Sequence, residues 1–306
     1  MTPRTYEFVQ LDVFTRSPLT GNPLAVFNDA RGLTDAEMQA LAREMNLSET
    51  TFILPRESAV ETREGKRVRI FTVEEELPFA GHPTLGTSLY LYQADGASDE
   101  IVLDLNVGKI PVRFTADAKN AEAGRKRVDG QLFGEMRQRD PEFGSILSRE
   151  KIAAAVGIDA KQISSEWPIQ VASTGLPFAI VPIAKLQTLA NLKFNPLNVA
   201  ALLEGTGARF CYFLCVEAVG TKAEARARMF FYGGEDPATG SAAGAAASWL
   251  VEHGLARSDQ QVLIRQGVEM DRPSEILVRA TKENDRVTNV RVGGYAVEVL
   301  RGTVTL

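Results

Sequence analysis

The chain has 306 residues, 44% of them hydrophobic and 24% charged, with a formal net charge of −5. That is enough chain for two domains of ordinary size, each able to bury a core. The acidic balance excludes the basic platform of a nucleic-acid binder, and no apolar run reaches the ~18 residues of a membrane span.

The first residues carry no cationic lead into an apolar core, so the expected location is the cytoplasm. Residues 6–14, YEFVQLDVF, alternate as a first strand, and a turn rich in Pro and Gly follows at 17–23. Residues 24–27 are extended. Thr34 with Glu37 three places on forms a capping box, and Met38, Leu41, Ala42 and Met45 recur at helical spacing. Residues 51–54 and 68–73 read as strands. Residues 57–66 are charged and read as a hairpin tip. A helix over 84–92 is apolar nearly all round, which implies burial on most sides.

Strands at 101–105 and 109–114 meet at Gly108. Residues 115–130 are polar and read as a linker, and the basic cluster Arg125-Lys126-Arg127 inside it, flanked by acids, reads as a solvated loop. The second half is expected to start at 131–143. Helices follow near 148–156 and from Asn195-Pro196 to before Gly205. Strands are expected at 209–216 and 226–232. A helix over 242–253 stops at Gly254, and the remainder from 261 is strands. The two cysteines, Cys211 and Cys215, share one face of a strand and read as buried hydrophobes, with no disulfide framework.

One pattern occurs twice. Arg67, Arg69, Phe71, Glu76, Pro78, Gly81 and Leu91 fall 159 positions before Arg226, Arg228, Phe230, Glu235, Pro237, Gly240 and Leu250. Upstream, TGNPLAV at 20–26 matches TGLPFAI at 174–180, 154 positions on. Fixed-offset self-similarity reports architecture. The chain is therefore expected to form two similar halves with a cleft between them. The division is expected as 1–122 and 123–295, with the final strand 296–306 open to joining the first half.

Each repeated turn sets a glycine, Gly81 or Gly240, at a helix start, where backbone N–H groups and the helix dipole favour an anion. A simple helix cap would look the same. Of the two histidines, His253 ends a helix, while His82 lies at the first repeated helix start, where a neutral imidazole is favoured. Its repeat position is Ser241, and Asp236 answers to Leu77. Read locally, Glu49 is a solvated loop carboxylate. No metal-ligand spacing, dinucleotide fingerprint, phosphate loop or nucleophile elbow is present, so the expectation is acid–base chemistry with no metal and no cofactor.

The blocks TGNPLAVF (20–27), NLSETTF (46–52), ELPFAGHPTLG (76–86) and EDPATGSA (235–242) resemble the phenazine-biosynthesis PhzF family, in family order and across nearly the whole chain. The resemblance implies an α+β fold of two pseudo-symmetric lobes, each a mixed β-barrel wrapped around a central helix, as in diaminopimelate-epimerase-like proteins. It implies Glu49 as the catalytic acid–base. It implies His82, Asp236 and Ser241 as substrate-binding side chains, and Gly81 and Gly240 as backbone anion contacts. The two-thiol racemases of that fold place a cysteine at each helix-leading turn; here Ala80 and Thr239 stand there.

The function expected is a cofactor-independent isomerase. It moves a proton within a small unsaturated carboxylic acid, like trans-2,3-dihydro-3-hydroxyanthranilate isomerase. The Glu49 pKa is expected to be raised by burial. A non-catalytic binder of small carboxylates and a one-base epimerase are the alternatives. The family precedent adds a homodimer.

Overall fold

The computed structural model describes residues 3–95, 99–116, 131–231 and 234–306. The chain divides into two compact units, Met1–Arg137 with Gly293–Leu306, and Gln138–Val292.

The first unit holds β1 (Thr5–Val13), β2 (Asn22–Phe27), α1 (Asp35–Met45), β3 (Glu49–Ile53), α2 (Ser58–Glu64), β4 (Lys66–Phe71), β5 (Glu76–Leu77), α3 (Gly81–Asp95), β6 (Glu100–Leu105), β7 (Gly108–Ala116) and β8 (Leu132–Arg137). The final strand, Ala296–Thr305, pairs antiparallel with β1. β1 pairs antiparallel with β2, β2 parallel with β3, β3 antiparallel with β4, and β4 parallel with β6. Parallel neighbours need a crossover, and helices supply it: α1 between β2 and β3, α3 between β4 and β6.

The second unit holds β9 (Glu142–Leu147), α4 (Arg149–Val156), β10 (Ile169–Ser173), β11 (Pro177–Ile183), α5 (Leu186–Ala190), α6 (Pro196–Leu203), β12 (Phe210–Cys215), α7 (Val219–Lys222), β13 (Glu224–Phe231), β14 (Gly234–Asp236), α8 (Gly240–Glu252), β15 (Val262–Gln266) and β16 (Ser274–Glu283). A last strand, β17 (Arg286–Gly294), leads back to the first unit. Its pairings run in the same sequence of kinds. β9–β10 and β10–β11 are antiparallel, β11–β12 parallel, β12–β13 antiparallel and β13–β15 parallel. The chain is thus an α+β protein with mixed sheets.

The repeated turns fold alike. β5 lies on β4 with Phe71 opposite Glu76, and β14 on β13 with Phe230 opposite Glu235. In each, the repeated arginine grips the repeated glutamate with two bonds. Arg69 donates to both Glu76 oxygens at 2.7 and 2.6 Å, and Arg228 to both Glu235 oxygens at 2.8 and 2.7 Å.

Each of these turns feeds a buried helix. From Gly81 to Leu89 every α3 residue is buried, and from Gly240 to Val251 every α8 residue is. α3 packs on β1, β2, β3, β6, β7 and β8 of its unit, and α8 on β10, β11, β12 and β16 of its own. A Cβ on Gly86 would come within 2.7 Å of Leu24 and Val13, so only glycine lets α3 lie this close to the sheet. The capping box of Thr34 and Glu37 opens α1 as the sequence predicts. Its apolar face joins Phe27, Phe52 and Phe71 in a core where Phe27 and Phe52 stack at 4.9 Å. Cys211 and Cys215 are free and buried beside Phe213 in the second unit's core.

Four expectations change. Residues 57–66 are not a hairpin tip but carry α2, which buries no side chain and so shows no apolar period; Lys66 and the Arg56 backbone N–H tie down Glu61 instead. The helices begin at Gly81 and Gly240, three and two residues earlier than the apolar pattern indicates, so both glycines and His82 are helical residues. β3 begins at Glu49 itself. The units part at Arg137/Gln138, because β8 pairs with β7 and stays with the first unit. The expected 122/123 boundary, the linker core and the basic cluster lie outside the described residues, as does Gly233. Among the described residues no helix is long and apolar enough to cross a membrane.

Candidate active site

In the first unit, Glu49 opens β3 opposite Leu24 of β2, and its side chain is 16% exposed. His82, the second residue of α3, is buried, and its Nε2 stands 3.6 Å from Glu49 Oε2. That is longer than a hydrogen bond. Asn22, fully buried at the start of β2, places Nδ2 3.2 Å from His82 Nδ1. Which partner donates in that contact depends on the ring's tautomer. Burial drives the His82 pKa down to about 3, against a raising backbone bond at Pro23. A ring taken out of water cannot easily hold a charge, so His82 is a neutral hydrogen-bonding group. Gly81 and Ala80 are buried beside it.

In the second unit, Asp236 ends β14 and is buried, as are Gly240 and Ser241 at the start of α8. Thr239 does not cap the helix with its side chain. Its hydroxyl instead donates to Asp236 Oδ2 at 2.6 Å. Gln266, fully buried at the end of β15, donates from Nε2 to the Asp236 carbonyl at 2.7 Å and to Thr239 Oγ1 at 2.9 Å. Tyr212 of β12 donates its hydroxyl to Gln266 Oε1 at 3.0 Å. Gln138 donates to the Gly240 carbonyl at 3.0 Å and is held by Thr174 at 2.6 Å.

The structure therefore gathers the sequence candidates into two groups: Glu49, His82 and Gly81 in one unit, Asp236, Gly240 and Ser241 in the other. Sequence reading missed Asn22, Tyr212, Thr239 as an Asp236 partner, and Gln266. Asn22 was within reach, since it lies inside the repeated TGNPLAV block with Leu176 as its counterpart. His253 lies elsewhere, bonded to Gln170 at 2.9 Å, and burial lowers its pKa despite its place at a helix end. The Cys211 thiol is pushed up to about 12 by burial. Among the described residues no three His, Cys, Asp or Glu side chains gather as a metal site.

Residues 11–302 match the family model described as phenazine biosynthesis-like protein, PhzC-PhzF. The chain belongs to that family. With it comes placement in the diaminopimelate-epimerase-like superfamily. An uncharacterized isomerase of Mesorhizobium japonicum is 36% identical over 312 residues, covering 98% of both chains. The trans-2,3-dihydro-3-hydroxyanthranilate isomerase of Pseudomonas chlororaphis is 36% identical over 304 residues, covering 98% of this chain and 100% of its own. The crystal structure of a Bacillus anthracis PhzF-family protein superposes with a TM-score of 0.84 at 26% identity, covering 99% and 100%. The blocks that hold Glu49, His82 and Asp236 lie within the residues matched by the PhzF family model.

Proposed function

We propose that the chain is a cofactor-independent isomerase resembling trans-2,3-dihydro-3-hydroxyanthranilate isomerase. In this reading Glu49 takes a proton from one carbon of a small unsaturated carboxylic acid. It returns the proton to another carbon of the same conjugated system, so the double bonds move. The observation that carries the reading is the neutral, buried His82 facing Glu49 at 3.6 Å. A neutral imidazole polarises a bound group without quenching the carboxylate's charge. Asp236 and Ser241 contact the substrate, and the backbone at Gly81 and Gly240 receives its developing negative charge. The thiols support the same choice. Ala80 and Thr239 precede the two helices, and the Cys211 thiol keeps its proton, so thiolate proton exchange has no agent there.

The reading extends to the frame: each unit is a mixed barrel wrapped around its own helix, and the protein acts as a cytoplasmic homodimer with no nucleic-acid partner. Light scattering at working concentration checks the dimer. The chemistry is tested in D₂O with candidate unsaturated acids. The isomerase places deuterium at a new carbon with migration of the double bond. A one-base epimerase labels only a stereocentre, and a binder takes up none. Glu49→Gln should abolish turnover while ligand still raises the melting temperature. Turnover retained within tenfold would remove Glu49 from the proton step.

A further inference from the structure

The duplication allows every site residue to be compared with its counterpart. Arg67 of β4 lies opposite Asp104, and its repeat partner Arg226 lies opposite Arg265. The next residues, Leu105 and Gln266, are therefore equivalent, and both are buried. Thr51 lies opposite Ile70, and Tyr212 opposite Met229, which makes Thr51 and Tyr212 equivalent. Ala80 answers to Thr239 and Leu77 to Asp236. At three of these four places the first unit carries an apolar residue where the second carries a polar one, and those three polar side chains meet in one hydrogen-bonded chain with Tyr212. Burying such groups is costly unless each is satisfied. A frame that holds without them in the first unit does not need them in the second for folding alone.

We propose that Gln266, oriented by Tyr212, is a positioning residue that turns the Thr239 hydroxyl proton onto Asp236. The direction follows from donor chemistry. Tyr212 is fully buried, and both burial and the nearby Asp236 raise its pKa, so it keeps its proton and donates. Gln266 Oε1 must then be the acceptor, which it is also for the Thr239 backbone N–H at 3.3 Å. Its Nε2 is left to donate, to the Asp236 carbonyl and to Thr239 Oγ1. A hydroxyl that accepts from Gln266 directs its single proton elsewhere, and the Asp236 Oδ2 at 2.6 Å receives it. Gly267 fixes the scaffold next to this chain. Its φ is +74°, and a Cβ there would come within 2.6 Å of the Pro237 carbonyl, so the end of β15 lies directly on the turn. The result is a side chain held as an acceptor, with its turn pinned from behind. A hydrogen bond to the charged form favours it, so the Thr239 hydroxyl works in favour of the Asp236 carboxylate.

The importance of this arrangement for turnover rests on the proposed reading of Asp236 as a substrate contact, but its existence does not. The test is therefore spectroscopic. Protein labelled with ¹³C at aspartate carboxyl carbons is titrated by NMR, with Asp236→Asn assigning the resonance. Titratable groups near this carboxyl include Tyr212, which holds its proton, and the adjacent Glu235, which is bound by Arg228. Thr239→Val and Gln266→Met should each raise the Asp236 midpoint by about one pH unit. Tyr212→Phe should move it the same way by less. If Gln266→Met does not fold, Tyr212→Phe, which removes one atom, carries the decision. A midpoint that stays put or falls in the folded variants overturns the proposal. Turnover is scored separately: if the chain is the isomerase, Gln266→Met should lose tenfold to a hundredfold in kcat/KM, roughly the cost of small misplacement. Wild-type protein that fails to move a proton at all would instead remove the functional reading and leave the titration result standing.

Discussion

Leu24 lies opposite Glu49, and its repeat partner Phe178 lies opposite Phe210. The acid of one unit is thus a phenylalanine in the other, and Asn22 and His82 likewise answer to Leu176 and Ser241. Only the first unit carries Glu49, the group proposed to move the proton. His82 gives a pH signature that does not depend on turnover. Its folded pKa, about 3, lies below the ordinary value of 6.5, so the unfolded chain binds a proton that the folded chain refuses. The stabilisation is present in full above pH 6.5 and is lost as pH falls toward 3, at up to about 1.4 kcal/mol per pH unit. Urea unfolding at pH 7 and pH 5 should show a larger loss for wild type than for His82→Gln. Equal losses would mean that the ring is charged when folded. Of the candidate site, the motif blocks marked the proposed residues Glu49, His82, Asp236, Ser241 and the two glycines. Gln266 and Tyr212 were not legible. They reach the turn through strand register, and nothing adjacent to them in the chain marks it.

The repeated arginine–glutamate pairs show how one element can be copied with different energetic weight. Arg228 and Glu235 are 7% and 12% exposed, and Arg228 also bonds the carbonyls of Leu189, Ala190 and Leu192. Arg69 and Glu76 are 15% and 25% exposed. Removing one partner of a buried pair strands the other without solvent. Arg228→Met should cost about 3–5 kcal/mol in chemical denaturation, and Arg69→Met roughly 1–2 kcal/mol. Equal costs would show that burial does not set the difference. α8 offers a sharper case. A Cβ on Gly244 would sit 1.9 Å from Gln138 Oε1, so Gly244→Ala must push Gln138 off the Gly240 carbonyl and off Thr174. A loss of about 1–3 kcal/mol is expected, against the usual gain of alanine over glycine inside a helix. The helices with an apolar period were readable in advance, whereas α2, which buries nothing, was not.

Across the whole molecule, the two units share one order of parallel and antiparallel pairings, and that order was readable only as a repeat. The offsets of 159 and 154 positions marked corresponding turns and strands, but not which strands pair. Pairing is decided by contacts distant in sequence, such as β1 with residues 296–305. Deleting the final strand should strip β1 of a neighbour along its full length. Calorimetry should then show the first unit melting earlier while the Gln138–Val292 unit keeps its transition. A single lowered transition for both would mean that the units unfold as one.

That outer neighbour of β1 also sets a timetable. On the ribosome, residues 3–137 emerge well before Ala296–Thr305 is made, and at ordinary elongation rates the interval is on the order of 10–30 s. During it the first unit has every described strand but one, with a nine-residue edge open to mispairing. The nascent first unit must therefore wait, incomplete, until nearly all of the second has been translated. An edge left open for that long is where aggregation during synthesis would start.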